Sequence, residues 1–276
     1  MLATLVIVFR EVIEAGLIVG IVLAAIKGVT RRGLWVCYGV VGGVAGACFV
    51  AAFAGRIASL FEGSGEELFN ASILLLAVGM LTWHNVWMAS HGRVLAQEMR
   101  QVGADVAAGE RPLGALSIVC GVAVLREGSE IVLFLYGIAA SGGTSEPGMM
   151  AGGALGVLAG AGVSALMYLG LLTIPTRQLF SVTSALITLL AAGLAPQAVA
   201  FIQQSGHLEV LTSIVWNTWL LSDDSVIGRL VHTLIGYTAQ PSGAQILIYF
   251  VTIAVIVVLM RLVRLPRASE GKAAAS

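Results

Sequence analysis

Apolar side chains along this chain gather into seven runs, at about residues 2–26, 34–54, 67–88, 113–140, 149–172, 179–200 and 245–263. Each is close to the roughly 20 residues that an α-helix needs to cross about 30 Å of hydrocarbon. Charged residues, glycines and prolines mark the intervals between them. The pattern predicts an all-α integral membrane protein with seven transmembrane helices, one transmembrane domain over 1–263 and a short tail at 264–276. Runs one and four are unusual in carrying charge at their centres, Arg10, Glu11 and Glu14 in one and Arg126, Glu127 and Glu130 in the other.

Composition agrees with the pattern. The 276 residues are 58% hydrophobic and 11% charged, whereas a soluble domain is about a quarter charged, so little of the chain is expected outside the bilayer. Net charge is zero, which gives a nucleic-acid partner no electrostatic support. Cys37, Cys48 and Cys120 all fall inside apolar runs; their scatter fits neither a disulfide framework nor a zinc site, and they read as small core residues. The first run lacks a basic stretch before it and is interrupted by charge, so it is a poor signal peptide.

Basic residues in the connections alternate. Lys27, Arg31 and Arg32 follow run one, Arg93, Arg100 and Arg111 follow run three, Arg177 follows run five, and Arg261, Arg264, Arg267 and Lys272 close the chain. The other connections are poor in Lys and Arg. By the positive-inside rule the N-terminus is outside and the C-terminus cytoplasmic.

The chain also resembles itself. FREVIEAGLIVGI from Phe9 lines up with LREGSEIVLFLYGI from Leu125 at an offset of 116, and LLAVG from Leu75 with LLAAG from Leu189 at 114. Residues of about 1–88 and 113–200 therefore read as a 3+3 repeat, followed by an outer loop at 201–244 and a seventh helix at 245–263. Three spans are an odd number, so the copies must insert upside down relative to each other, an arrangement common in secondary transporters with a midplane site. Gly42 and Gly46 in span two, and Gly152, Gly156 and Gly160 in span five, leave strips without side chains where another helix can approach closely.

Successive helical residues are 100° apart, so the two Glu and the Arg of each Arg-Glu-x-x-Glu motif occupy one face. Glu14 lies about 18 Å from the outer end of its span and Glu130 about 15 Å from the outer end of its own, which puts both motifs at mid-membrane depth. A central charge costs about 2.5–3.5 kcal/mol on insertion scales, so the six groups must satisfy one another or line water. Two arginines against four glutamates leave a formal charge of minus two. That excess suits a bound cation or protons, while an interhelical salt-bridge clamp would more naturally be balanced. Carboxylate oxygens favour hard or borderline cations over soft ones, and the arginines would orient them through bidentate hydrogen bonds. Donor chemistry leaves ferric iron, ferrous iron, manganese and other divalent ions open.

Weaker signals have two readings each. Glu66 and Glu67 before span three, and Asp223 and Asp224 in the outer loop, would concentrate cations at an entrance or are simply solvated. His84 and His91, near the expected inner end of span three, would ligand a departing metal or are ordinary helix-end residues. Trp216 and Trp219 suit a loop lying along the membrane surface.

The paired motifs, Arg-Glu-Val-Ile-Glu at 10–14 and Arg-Glu-Gly-Ser-Glu at 126–130, on the first and fourth of seven spans, resemble those of the oxidase-dependent iron permeases of fungi and their bacterial ferrous/ferric iron permease relatives. Glu67-Leu68-Phe69, Thr82-Trp83, Ala191-Ala192-Gly193-Leu194 and Gly236-Tyr237 support the likeness. Val12 stands where the family usually has Gly, and Asn70 where many bacterial relatives have Glu. The resemblance implies high-affinity import of ferric or ferrous iron across the inner (plasma) membrane. Glu11, Glu14, Glu127 and Glu130 would handle the metal, supported by Arg10 and Arg126. It implies iron as transported substrate with no tightly bound cofactor, membrane lipid around the chain, and a separate iron-oxidising or iron-delivering protein outside; a homo-oligomer is compatible with it. A permease for lead or manganese, or a noncatalytic scaffold of an oxidase complex, are the competing readings. No catalytic motif such as His-Glu-x-x-His or Gly-x-Ser-x-Gly argues for an enzyme.

Overall fold

The computed structural model describes residues 1–59, 66–141, 145–171, 176–218 and 237–264. Within them the chain forms seven α-helices: α1 (Leu2–Ala25), α2 (Arg32–Ser59), α3 (Glu66–Ala107), α4 (Gly114–Ala140), α5 (Glu146–Tyr168), α6 (Thr176–Gln204) and α7 (Gly243–Arg264). No strand forms among the described residues beyond one isolated bridge, Ile214 to Ser242. Five of the helices, α2, α3, α5, α6 and α7, are long and apolar enough to cross a membrane. The other two, α1 and α4, have 24 and 27 residues, and what sets them apart is the three charges of the motif at the centre of each.

The candidate span in α3 is Glu67–Met88, as expected, but the helix itself runs on to Ala107 and is 42 residues long. Basic residues interrupt the hydropathy there but not the helix: Ala, Leu, Gln, Glu, Met and Arg are good helix formers, and the first proline of the chain is Pro112. The extension is also packed, with Val106 buried beside Val22, Ile26 and Val36. It ends at Gly109, whose φ is 80°. The Glu110 amide donates to Asp105 O at 2.9 Å and the Gly109 amide to Val106 O at 3.1 Å, a Schellman closure.

Two apolar clusters bracket the interior. One gathers Ala3 and Ile7 of α1, Leu74 and Leu81 of α3, Phe134 and Ile138 of α4, and Ile187, Leu190 and Leu194 of α6. The second gathers Val22 and Ile26, Val36, Val106, Leu116 and Cys120. Helix α1 passes from the first cluster to the second and α4 from the second to the first, so these two helices are antiparallel, with both motifs between the clusters.

Glycines set the outer packing. A Cβ at Gly43 of α2 would lie 2.7 Å from Gly121 O, 2.7 Å from Val124 Cβ and 3.0 Å from Leu125 N of α4. A Cβ at Gly156 of α5 would lie 2.9 Å from Leu5 O, 2.9 Å from Val8 Cβ and 3.0 Å from Phe9 N of α1. The two sets of partners differ by 116 positions, residue for residue and atom for atom. In α2 the strip facing α4 consists of Gly39, Gly43 and Gly46; the expectation for Gly42 is corrected, since nothing lies within 4 Å of its would-be Cβ. The shift of one position follows from the helix rotation that turns Val36 inward and Tyr38, Val41 and Phe49 outward. Of the three cysteines only Cys120 is a core residue; Cys37 and Cys48 are exposed on the outward side of α2, where a thiol is a small apolar group among other apolar side chains.

Candidate metal centre

One turn of α1 carries Arg10, Glu11 and Glu14 into the space between the clusters, each no more than 2% exposed. Arg10 Nη1 donates to Glu11 Oε1 at 3.1 Å. Arg10 Nε lies 2.8 Å from Glu14 Oε1, though not aligned for a hydrogen bond. On α4, Arg126 donates from both Nε (2.9 Å) and Nη2 (2.5 Å) to Glu127 Oε1, while its Nε stays 3.9 Å from Glu130 Oε1. Arg10 thus pairs with both glutamates of its motif and Arg126 mainly with Glu127, leaving other carboxylate oxygens uncommitted.

His84 of α3 joins the two motifs. Its side chain is 5% exposed. Nε2 is 3.3 Å from Glu14 Oε2 and 4.0 Å from Glu11 Oε2, and Nδ1 contacts Glu130 Oε2. His84 stands four residues before the end of the candidate span Glu67–Met88, while the helix continues for 23 residues beyond it; what the sequence did not indicate is that the ring lies against both motifs. Its neighbour Asn85 fixes the rotation of α3, with Nδ2 donating to Ser184 O at 3.1 Å and Thr188 Oγ1 at 3.0 Å of α6. One turn on, the Trp87 ring lies 5.0 Å from the Arg126 guanidinium carbon and stacks on His91, so a cation–π contact covers the second motif's arginine. Asn85 and Trp87 carry no weight in the sequence reading. The signal for Asn85 was its adjacency to His84, two polar side chains side by side in an apolar run.

One ligand atom from each of Glu11, His84, Glu127 and Glu130 lies within 4.8 Å of the others. Glu11 Oε2 and Glu127 Oε2 are buried without a hydrogen-bond partner, a costly state for carboxylate oxygens. Such a donor set is suited to a small cation. The remaining candidates lie apart from it: Glu67 is exposed at the start of α3 and His91 is exposed one turn beyond Trp87. Glu66 opens α3, but its side chain lies outside the described residues, as do Asp223, Asp224 and Trp219 entirely.

Residues 1–269 match the iron permease FTR1 family. The chain belongs to that family. Among its relatives is the ferrous iron permease EfeU of Yersinia pestis, 30% identical over 275 residues, which are 98% of this chain and 96% of the relative. The ferrous iron permease EfeU of Escherichia coli O157:H7 is 28% identical over 250 residues, 89% and 90% of the two chains. No solved structure matches the chain. Family membership and the apolar helices together make it a multi-pass inner membrane protein.

Helix packing accounts for the departure at Val12. A Cβ at Gly128 would lie 2.6 Å from Ala47 Cβ of α2, and a Cβ at Gly160 of α5 would lie 2.9 Å from Val12 Cβ. In the second motif the glycine is on the motif helix; in the first it is on the facing helix. The larger side chain has changed sides, and the close approach is kept.

Proposed function

We propose that this chain imports iron across the inner membrane and that Glu11, Glu14, Glu127 and Glu130 handle the ion, with Arg10 and Arg126 holding the carboxylates in position. The observation that carries the reading is the meeting of the two motifs in one buried cluster with Glu11 Oε2 and Glu127 Oε2 unpartnered. Two guanidiniums against four carboxylates leave room for cationic charge, and the relatives named as ferrous iron permeases support iron as that cation. Transport rather than catalysis is the role of the cluster, with iron as substrate and no resident cofactor.

The proposal includes seven spans in a single transmembrane domain, with α1 and α4 crossing the membrane despite their charges because those charges face one another. The atom-for-atom correspondence between the Gly43 and Gly156 contacts supports an inverted repeat of α1–α3 and α4–α6, followed by α7. The alternation of basic connections supports an outside N-terminus and a cytoplasmic C-terminus. The outward apolar side chains of α2, α5 and α7, such as Phe49, Leu158 and Phe250, suit contact with lipid. A separate protein outside is proposed to oxidise or deliver the iron.

Uptake of radioactive iron by iron-starved cells carrying single Gln substitutions at Glu11, Glu14, Glu127 or Glu130 tests the reading. Each variant is expected to reach normal membrane abundance and to lose most uptake. Normal uptake by all four would overturn the mechanism.

A further inference from the structure

The notable member of the cluster is the one that belongs to neither motif. His84 comes from α3, yet its two ring nitrogens face carboxylates of both motifs, Glu14 and Glu11 on one side and Glu130 on the other. It is the single nitrogen donor in a set otherwise made of oxygens. A ring nitrogen without a proton carries a lone pair that can ligate a cation, as the carboxylate oxygens around it can. The buried carboxylate oxygens without a hydrogen bond, Glu11 Oε2 and Glu127 Oε2 among them, come from both motifs, so an ion between the motifs can satisfy oxygens of each.

Size decides how many ions fit. Bonds from oxygen or nitrogen to a first-row divalent metal are about 2.0–2.2 Å, so ligands of one ion stand at most about 4.4 Å apart. The four donor atoms lie within 4.8 Å of one another, one coordination sphere with a contraction of a few tenths of an ångström. From this, and resting on the reading that the cluster handles iron, we infer that the two motifs close on one shared ion and that His84 is its nitrogen ligand. A carboxylate-and-imidazole set accepts borderline first-row divalent cations such as ferrous iron, while Mg²⁺ and Ca²⁺ favour oxygen donors alone. His84 is therefore the residue that sets the metal class, and the motif glutamates supply charge.

The test uses the full chain purified in detergent without oxygen, with Fe²⁺ as the probe. The expected result is one Fe²⁺ per chain, with the outer-shell scattering of an imidazole in the iron X-ray absorption spectrum. Mn²⁺ or Co²⁺ should compete and a large excess of Mg²⁺ or Ca²⁺ should not. Loss of an outer-shell partner of a metal site costs about 10- to 100-fold in affinity, so His84→Ala should weaken Fe²⁺ binding at least that much. His84→Gln, which can still hydrogen-bond the carboxylates, should abolish the imidazole signal while leaving the thermal unfolding midpoint near that of the unaltered chain. Two Fe²⁺ per chain, an all-oxygen shell in the unaltered protein, or undiminished affinity in His84→Gln would each overturn the inference. None of these would restore uptake to the glutamate variants, so failure here is separable from failure of the proposed transport function. Absence of Fe²⁺ binding by the unaltered chain would overturn the shared site as well.

Discussion

The two Arg-Glu-x-x-Glu motifs share a sequence and a packing pattern but not an environment. Arg10 is 1% exposed, whereas the side chain of Arg126 is 34% exposed and that of Glu130 13%. Arg10 serves both glutamates of its own motif; Arg126 binds one closely, leaves the other 3.9 Å away and lies against Trp87. The cluster is sealed on the side of α1 and meets its surroundings on the side of α4. The two motifs thus differ in burial, the guanidinium of the first being enclosed and that of the second partly open.

The sharpest way to break that comparison is to remove each arginine. Taking one partner from a buried ion pair costs about 3–5 kcal/mol, so Arg10→Ala should collapse membrane abundance and the unfolding midpoint in detergent. Arg126→Ala should leave a foldable protein with impaired uptake, since its pair is half-open and its cation–π contact contributes about 0.5–2 kcal/mol. Equal loss of abundance in the two variants would mean that the difference in exposure is without consequence.

Glycine substitutions probe the shared part of the comparison. Overpacking a tight helix contact costs about 1–3 kcal/mol. Gly43→Ala and Gly156→Ala should lower the unfolding midpoint by similar amounts, because each new methyl meets a backbone oxygen and a backbone nitrogen on the facing helix. Gly42→Ala, with open space around it, should change little and serves as the control. A large asymmetry between Gly43 and Gly156 would argue that the matched contacts do not carry matched loads.

The smallest expected effect belongs to Trp87→Leu. It keeps apolar bulk but removes the π face over Arg126, at about 0.5–2 kcal/mol for a cation–π contact. Uptake should fall several-fold with abundance unchanged, and adding Arg126→Lys should produce less than the sum of the two single losses. Additive losses would show that the two side chains act independently.

Much of this architecture was legible beforehand. Continuous apolar runs located α1 and α4 to within a residue or two, because a span announces itself through length and hydropathy. The motif charges announced themselves in the same way, by being expensive where they stood. His84 was visible as a residue near the end of its span, but its contacts with both motifs were not; hydropathy ends at the basic residues after Met88, and the helix does not. The facing strip of α2 was misplaced by one position because Gly39, Gly42, Gly43 and Gly46 are all glycines, and only the rotation of the helix against α4 distinguishes them.

The sequence by itself determined that this chain lies in a membrane, that two of its helices carry four carboxylates against two guanidiniums, and that the motif helices are equivalent elements. What the two motif helices share by sequence is the Arg-Glu-x-x-Glu pattern; such properties of composition and period belong to each residue wherever the chain folds. Tertiary structure alone decided that the motifs of α1 and α4 meet in one cluster, that His84 from a third helix joins them, and that one motif is sealed while the other is half-open. Those depend on helix rotation and on which neighbour covers which face, and residues 70 positions apart, such as Glu14 and His84, leave no periodic trace of having met.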